Sequence, residues 1–316
     1  MSSYRLRNWP EYNRALEARG ELTVWLDAAV LAAWRAAVPT GRRGHPRVYS
    51  EVAIRCALTL KELYHQGLRQ TTGLVHSLLT LLGLTLPVPS ASTLSRRRRT
   101  LAVVLPVRVP AGPVHLVVDS TGLKVYGAGE WRARRQGYTK RRTWLKVHLG
   151  VDEATGELRL AAVSTNDGGD GAVLAWLLPR EAAPLAQVTG DGGYDEWRCY
   201  AAVAARPERP RAVFPPRPRG RRRPRIRQHG NCRAPPLQRD AHLRRIRRVG
   251  RARWKREVGY HRRSLAETAV FRLKAAFGDR LSARTHDGEA TQVFLRCAAL
   301  NRMTALGMPD SYPAPA

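Results

Sequence analysis

Residues 114–126 read VHLVVDSTGLKVY, an apolar and β-branched run that stops at Asp119. Such a run is a core strand. A carboxylate at its end is costly to bury unless something pairs with it, and a divalent cation is a natural partner. The segments that follow keep the same character. RRTWLKVHLGVD (141–152) and ELRLAAVST (157–165) read as strands joined by Asp152-Glu153-Ala154-Thr155-Gly156, a hairpin turn. GDGAVLAWLLPRE (169–181) is helical, AQVTGDGGYD (186–195) is a strand running into a turn, EWRCYAAVAAR (196–206) is helical, and RAVFPPR (211–217) is a short strand. Three strands, then helix, strand, helix and strand, define a mixed α/β sheet with helices on its faces.

Toward the N-terminus the pattern is helical. Val52 to Tyr64 and LRQTTGLVHSLLTLLG (68–83) each carry an apolar band, the second ending on Gly83 as a C-cap. After Pro87 and Pro89 comes SASTLSRRRRTL (90–101), a Ser/Thr-started basic helix. Two apolar helices, a turn and a basic helix outline a helix-turn-helix-like module, with Arg96, Arg97, Arg98 and Arg99 facing phosphates or base edges. The plainer alternative is a solvated basic helix end.

The chain has 316 residues with 55 Lys+Arg against 25 Asp+Glu, a formal net charge of +30. That excess calls for a polyanionic partner. It is concentrated in residues 217–263, which hold 19 Lys+Arg and two acids with no sustained apolar period. This stretch reads as a loop or insertion forming an electrostatic groove for nucleic-acid backbone. The four cysteines, Cys56, Cys199, Cys232 and Cys297, are scattered and signal neither zinc nor a disulfide framework. No uncharged run approaches membrane-spanning length and the start is not an apolar signal segment, so a soluble cytoplasmic protein is expected.

Asp191, in VTGDGGYD, also ends a short apolar strand, and its glycines leave room for a ligand; an isolated Asp-Gly is otherwise an ordinary turn. A third acid lies in YHRRSLAETAVFRLK (260–274), where Ser264 and Glu267 fit the S-x-x-E capping box. Glu267 is therefore either a cap or a ligand. Three carboxylates at two strand ends and on a later helix suit two-metal phosphoryl transfer, and oxygen-only donors suit Mg²⁺ or Mn²⁺ rather than zinc.

VVDSTGLKVY, KRRTWLKVHLGVD, GDGGYD, GYHRRSLAETAVFRLK and CAALNRMTALGMP resemble bacterial insertion-sequence transposases of the DDE class, specifically the insertion-sequence-five family. The resemblance covers most of the chain. A signature shared with the insertion-sequence-four group, Tyr-x₂-Arg-x₃-Glu-x₆-Lys, falls without a gap on Tyr260, Arg263, Glu267 and Lys274. The resemblance implies a ribonuclease-H-like core with Asp119, Asp191 and Glu267 as a metal-binding catalytic triad for Mg²⁺. It also implies that Tyr260, Arg263 and Lys274 contact DNA phosphates near the cleaved bond. Glu267 and Lys274, seven residues apart, fall on one helical face, roughly 20° apart in azimuth.

The expected organisation is a helical DNA-binding domain over 1–112, the catalytic domain over 113–278 with a basic insertion around 217–259, and a helical tail over 279–316. The expected reaction is metal-dependent cleavage at the inverted-repeat ends of an insertion sequence and strand transfer into target DNA. Synapsis of two ends implies at least a dimer. Trp254 is placed to stack on a displaced base or to pack beneath the basic loop. The rival readings are a ribonuclease-H-like nuclease and an inactive DNA-binding relic of a transposase.

Overall fold

The computed structural model describes residues 4–36, 46–125, 144–165, 168–217, 225–226 and 238–313. Asp167, Cys232, the residues 141–143 expected to begin the second strand, and much of the basic stretch lie outside them. The chain forms two compact units, Met1–Pro106 with Ala276–Ala316, and Val107–Ala275.

The first unit begins with β1 (Tyr4–Leu6), α1 (Trp9–Ala18), α2 (Leu22–Trp25) and α3 (Ala28–Ala32). The three helices anticipated from periodicity follow as α4 (Glu51–Leu63), α5 (Leu68–Leu81) and α6 (Ala91–Arg98). Ser50 and Ser90 cap α4 and α6 by accepting the amides of Ala53 and Thr93. Gly83 takes a left-handed φ of +67° just past α5, the conformation a helix-ending glycine supplies without steric cost.

In the second unit β2 (Val114–Lys124), β3 (Trp144–Asp152) and β4 (Leu158–Thr165) form an antiparallel meander. Helix α7 (Asp170–Leu177), strand β5 (Leu185–Thr189), helix α8 (Trp197–Ala204) and strand β6 (Arg211–Val213) follow. The sheet order is β4-β3-β2-β5-β6, with β5 and β6 parallel to their neighbours. This is a ribonuclease-H-like mixed sheet flanked by helices. Val114, Leu116 and Val118 share one face of β2 with Leu185 and Val188 of β5, and they pack with Leu174, Leu177 and Val203 of α7 and α8. The intervening β2 residues, His115, Val117 and Asp119, point to the opposite face.

The basic stretch expected as a loop contains two helices, α9 (Gln238–Val249) and α10 (Arg251–Glu257). Its dense charge masks a thin apolar seam: Trp254 and Val258 pack with Val213, and Ile246, Val249 and Tyr260 close around them. Long arginine side chains tolerate this arrangement by keeping their heads in water. After a 3₁₀ turn at Tyr260–Arg263, α11 (Ser264–Phe277) leads the chain back to the first unit. There α12 (His286–Leu306) packs on α4 and α6, and β7 (Ser311–Pro313) pairs with β1. The segment drawn from sequence as a tail thus shares the core of the N-terminal helices. Lys61 and Arg296 flank buried Glu62 there at 2.8 and 2.7 Å, and Gln292 also donates to it. No helix among the described residues is long and apolar enough to cross a membrane.

Candidate active site

The register of β2 and β5 brings the two aspartates together. Val117 pairs with Thr189, the last such pair, so Asp119 on β2 and Asp191 in the turn after β5 each lie two residues beyond it. Neighbouring strands run about 4.8 Å apart. Strand β2 does not end at Asp119 as its apolar run suggested; it continues to Lys124, paired with β3 alone. Asp119 therefore lies just past the point where β2 loses its β5 neighbour, at the carboxyl end of the parallel pair, the usual ligand position in α/β sheets.

Asp191 is fixed by its own turn. Its Oδ1 accepts the Gly193 amide at 2.7 Å, and its Oδ2 lies 3.2 Å from a guanidinium nitrogen of Arg217. Gly190 before it is sterically required, while Gly192 after it lies beneath the Arg217 side chain. A Cβ on Gly190 would stand 2.6 Å from the Tyr194 ring, and one on Gly192 would stand 2.7 Å from Nε of Arg217. Asp119 accepts the Ser120 amide at 2.8 Å. Burial pushes its carboxyl above the ordinary range, opposed by the Ser120 amide and Arg263 and reinforced by Asp191 and Glu267. That interaction puts all three acids, and Arg263, in one electrostatic neighbourhood.

Glu267 is exposed on the first turn of α11 and is ion-paired with Arg263. The capping box is not formed: the Ser264 hydroxyl donates to the His261 carbonyl at 3.0 Å, because the 3₁₀ turn runs directly into the helix and leaves no cap position. Burial alone would lower the Arg263 pKa, but its hydrogen bond and charge pairing with Glu267 raise it. Tyr260 is half-buried, its ring 6.2 Å from that of Trp254. Lys274 is half-buried further along α11, about 10 Å along the axis from Glu267. Between them Phe271 is 71% exposed, an outward aromatic the apolar pattern gave no reason to single out.

The turn carrying Tyr260 and Arg263 is tied down by polar side chains on the sheet face opposite α7 and α8. Glu153, from the β3–β4 turn, pairs with both His115 and Arg262. His115 meets Thr189 Oγ1 at 2.8 Å, and Gln187 donates to His115 at 3.0 Å and to the Val258 carbonyl at 3.4 Å. These residues went unnoticed in sequence because they are separated by up to 147 positions and carry no motif. Asp170, the first residue of α7, accepts from Lys146 at 2.9 Å on the sheet face opposite Asp119. Burial would raise its pKa, yet the polar groups of His148, Lys146 and Ser120 around it hold it far below the usual carboxylate range.

Three of the expected DNA contacts are engaged inside the protein. Trp254 is fully buried, donating Nε1–H to His242 Nδ1 at 3.1 Å, so it supports Tyr260 from beneath and offers no free ring face. In the first unit, Arg98 turns inward toward Glu62 and Glu289, and Arg97 donates to the Tyr49 carbonyl at 3.1 Å. Of the four arginines, Arg96 and Arg99 are exposed.

Oxygen donors and a half-buried Asp119 carboxyl repelled by Asp191 and Glu267 suit a hard divalent cation. Among the described residues, however, no three acidic, histidine or cysteine side chains stand at metal-ligand spacing. Asp191 and Glu267 are instead each held by an arginine. The donor set therefore fits Mg²⁺ in kind, with guanidinium groups supplying the compensating charge in this structure. Two family models described as "Transposase DDE domain" match the chain, one over residues 17–128 and the other over residues 110–302. The second spans more than half of the chain, and the protein belongs to the transposase DDE domain family.

Proposed function

We propose that the chain is an insertion-sequence transposase, of the insertion-sequence-five group with the Tyr/Arg/Glu/Lys signature. It cleaves the ends of its element and transfers the freed 3′-hydroxyls into target DNA. The observation that carries the reading is the register that sets Asp119 and Asp191 each two residues past the last β2–β5 pair, with Glu267 in the same electrostatic neighbourhood. Asp119, Asp191 and Glu267 would hold Mg²⁺, or Mn²⁺ in its place. When bound, the metal supplies Lewis-acid stabilisation of charge on the scissile phosphate and a more acidic nucleophile.

The chain's own residues bind and orient DNA. Arg263 and Lys274 neutralise phosphates beside the reacting bond, and Tyr260, braced on Trp254, fixes the strand. Arg96 and Arg99 on α6 face the terminal inverted repeats. Two ends held at once require a dimer, and the protein works among cytoplasmic, nucleoid-associated DNA.

The test is incubation with DNA carrying both flanks of the gene, in Mg²⁺ and then in chelator, with the cut ends sequenced. Cuts confined to the flank ends, with joined products, support a transposase. Scattered nicks without joining indicate a nuclease, and binding without cleavage indicates a relic.

A further inference from the structure

Arg217 belongs to neither the acidic triad nor the Tyr/Arg/Glu/Lys signature, yet it is built into the site. Its amide donates to Asp195 Oδ2 at 2.8 Å, and Asp195 is itself clamped by Arg239 at 2.7 and 3.1 Å. Arg251 of α10 donates to the carbonyl of the preceding residue, Pro216, at 3.3 Å. From that fixed backbone the side chain crosses Gly192, where a Cβ would strike its Nε and Cγ at 2.7 and 2.9 Å, and ends on Asp191. Its side chain is still 58% exposed, so the same guanidinium is open to an incoming phosphate. Arginine suits both partners, because its planar fork matches carboxylate and phosphate alike.

We infer that Arg217 is a phosphate-binding residue that exchanges partners. Without DNA it neutralises Asp191; when DNA enters, it moves to a backbone phosphate and releases Asp191 for metal. A cation and Arg217 compete for one carboxylate, so DNA and metal bind with positive coupling. The inference rests on Asp191 being a metal ligand. Arg263 stands in the same relation to Glu267, but the signature already assigns it to phosphate, whereas nothing in the sequence separated Arg217 from the other cations around it.

The experiment measures Mn²⁺ affinity by electron paramagnetic resonance titration of the full chain, with and without a flank-end duplex. Wild type is compared with Arg217→Gln, Arg217→Lys and Asp191→Asn, and circular dichroism checks that each is folded. The pair is partly exposed, so its release is worth about threefold to fivefold in metal affinity. DNA should raise wild-type Mn²⁺ affinity by about that factor. Arg217→Gln should bind Mn²⁺ about threefold to fivefold more tightly without DNA, gain less when DNA is added, and show a salt slope of DNA binding smaller by about one. Arg217→Lys, which keeps the charge but loses the fork, should fall between wild type and Arg217→Gln. Equal Mn²⁺ affinity in Arg217→Gln and wild type, with loss in Asp191→Asn, overturns the exchange while leaving the metal reading intact. Unchanged Mn²⁺ binding in Asp191→Asn overturns both.

Discussion

Gly190 joins the end of β5 to Asp191, and replacing it with alanine tests whether this junction is as tightly built as the structure requires. The new methyl would sit 2.6 Å from Cδ2 of Tyr194 and 2.9 Å from Cγ2 of Val118. Neither neighbour has room to yield. Tyr194 is 3% exposed, with its ring 6.0 Å from that of Phe214, and Val118 belongs to the central strand. The Gly190 amide also donates to the Val213 carbonyl at 3.3 Å, which ties the backbone to β6. Overpacking of this kind costs about 1–3 kcal/mol. For a unit of this size that lowers the melting temperature by about 2–12 °C. The displaced backbone carries Asp191 with it, and a shift of about 1 Å at a reacting group costs about a hundredfold in rate. Thermal melts followed by tryptophan fluorescence give the first number, and cleavage well below the transition gives the second. Gly112→Ala is the control, since a Cβ there meets nothing within 4 Å. A Gly190→Ala protein that melts and cleaves like the control would refute this packing account.

Trp254→Phe keeps most of the apolar packing but loses the bond to His242, so it should cost about 1–3 kcal/mol in chemical denaturation and weaken DNA binding through Tyr260. Arg96→Ala and Arg99→Ala should each reduce the salt slope of DNA binding by about one in filter-binding titrations. Arg98→Ala, whose side chain is buried, should instead lose about 1–3 kcal/mol of stability. Burial alone would raise the Glu62 pKa, but Lys61 and Arg296 lower it below its unfolded value. Its contribution is therefore present above the unfolded carboxyl pKa of about 4.3 and is lost as pH falls through the lower folded value. Urea melts of wild type should show stability falling across that acid window, and Glu62→Gln should flatten the fall.

The sheet was legible in the sequence because its signals are local. The apolar run before Asp119 and the Asp152–Gly156 turn each have one physical reading over a few residues, and the glycines around Asp191 mark the end of a strand whether or not a ligand binds there. Glu267 was ambiguous for the same reason: S-x-x-E is a cap only where the chain enters the helix from an extended conformation, and here a 3₁₀ turn precedes it. The helices over 238–257 were hidden because an apolar seam as thin as Leu243, Ile246 and Trp254 does not stand out among so many arginines. Arg98 was expected outside on residue type, yet its neighbours bury it, and of the two readings open for Trp254 the structure takes packing beneath the basic stretch. The network of His115, Glu153, Gln187 and Arg262 depends on strand register and chain return, which no local window contains.

The central claim is that Glu267 acts through its charge beside Asp119 and Asp191. Its most direct test is the single-turnover rate of Mg²⁺-dependent cleavage at the flank ends by wild type and Glu267→Gln, with DNA affinity measured in parallel. The account predicts a loss of at least about a hundredfold in cleavage with DNA binding retained. Cleavage at the wild-type rate by a folded, DNA-bound Glu267→Gln protein would contradict it.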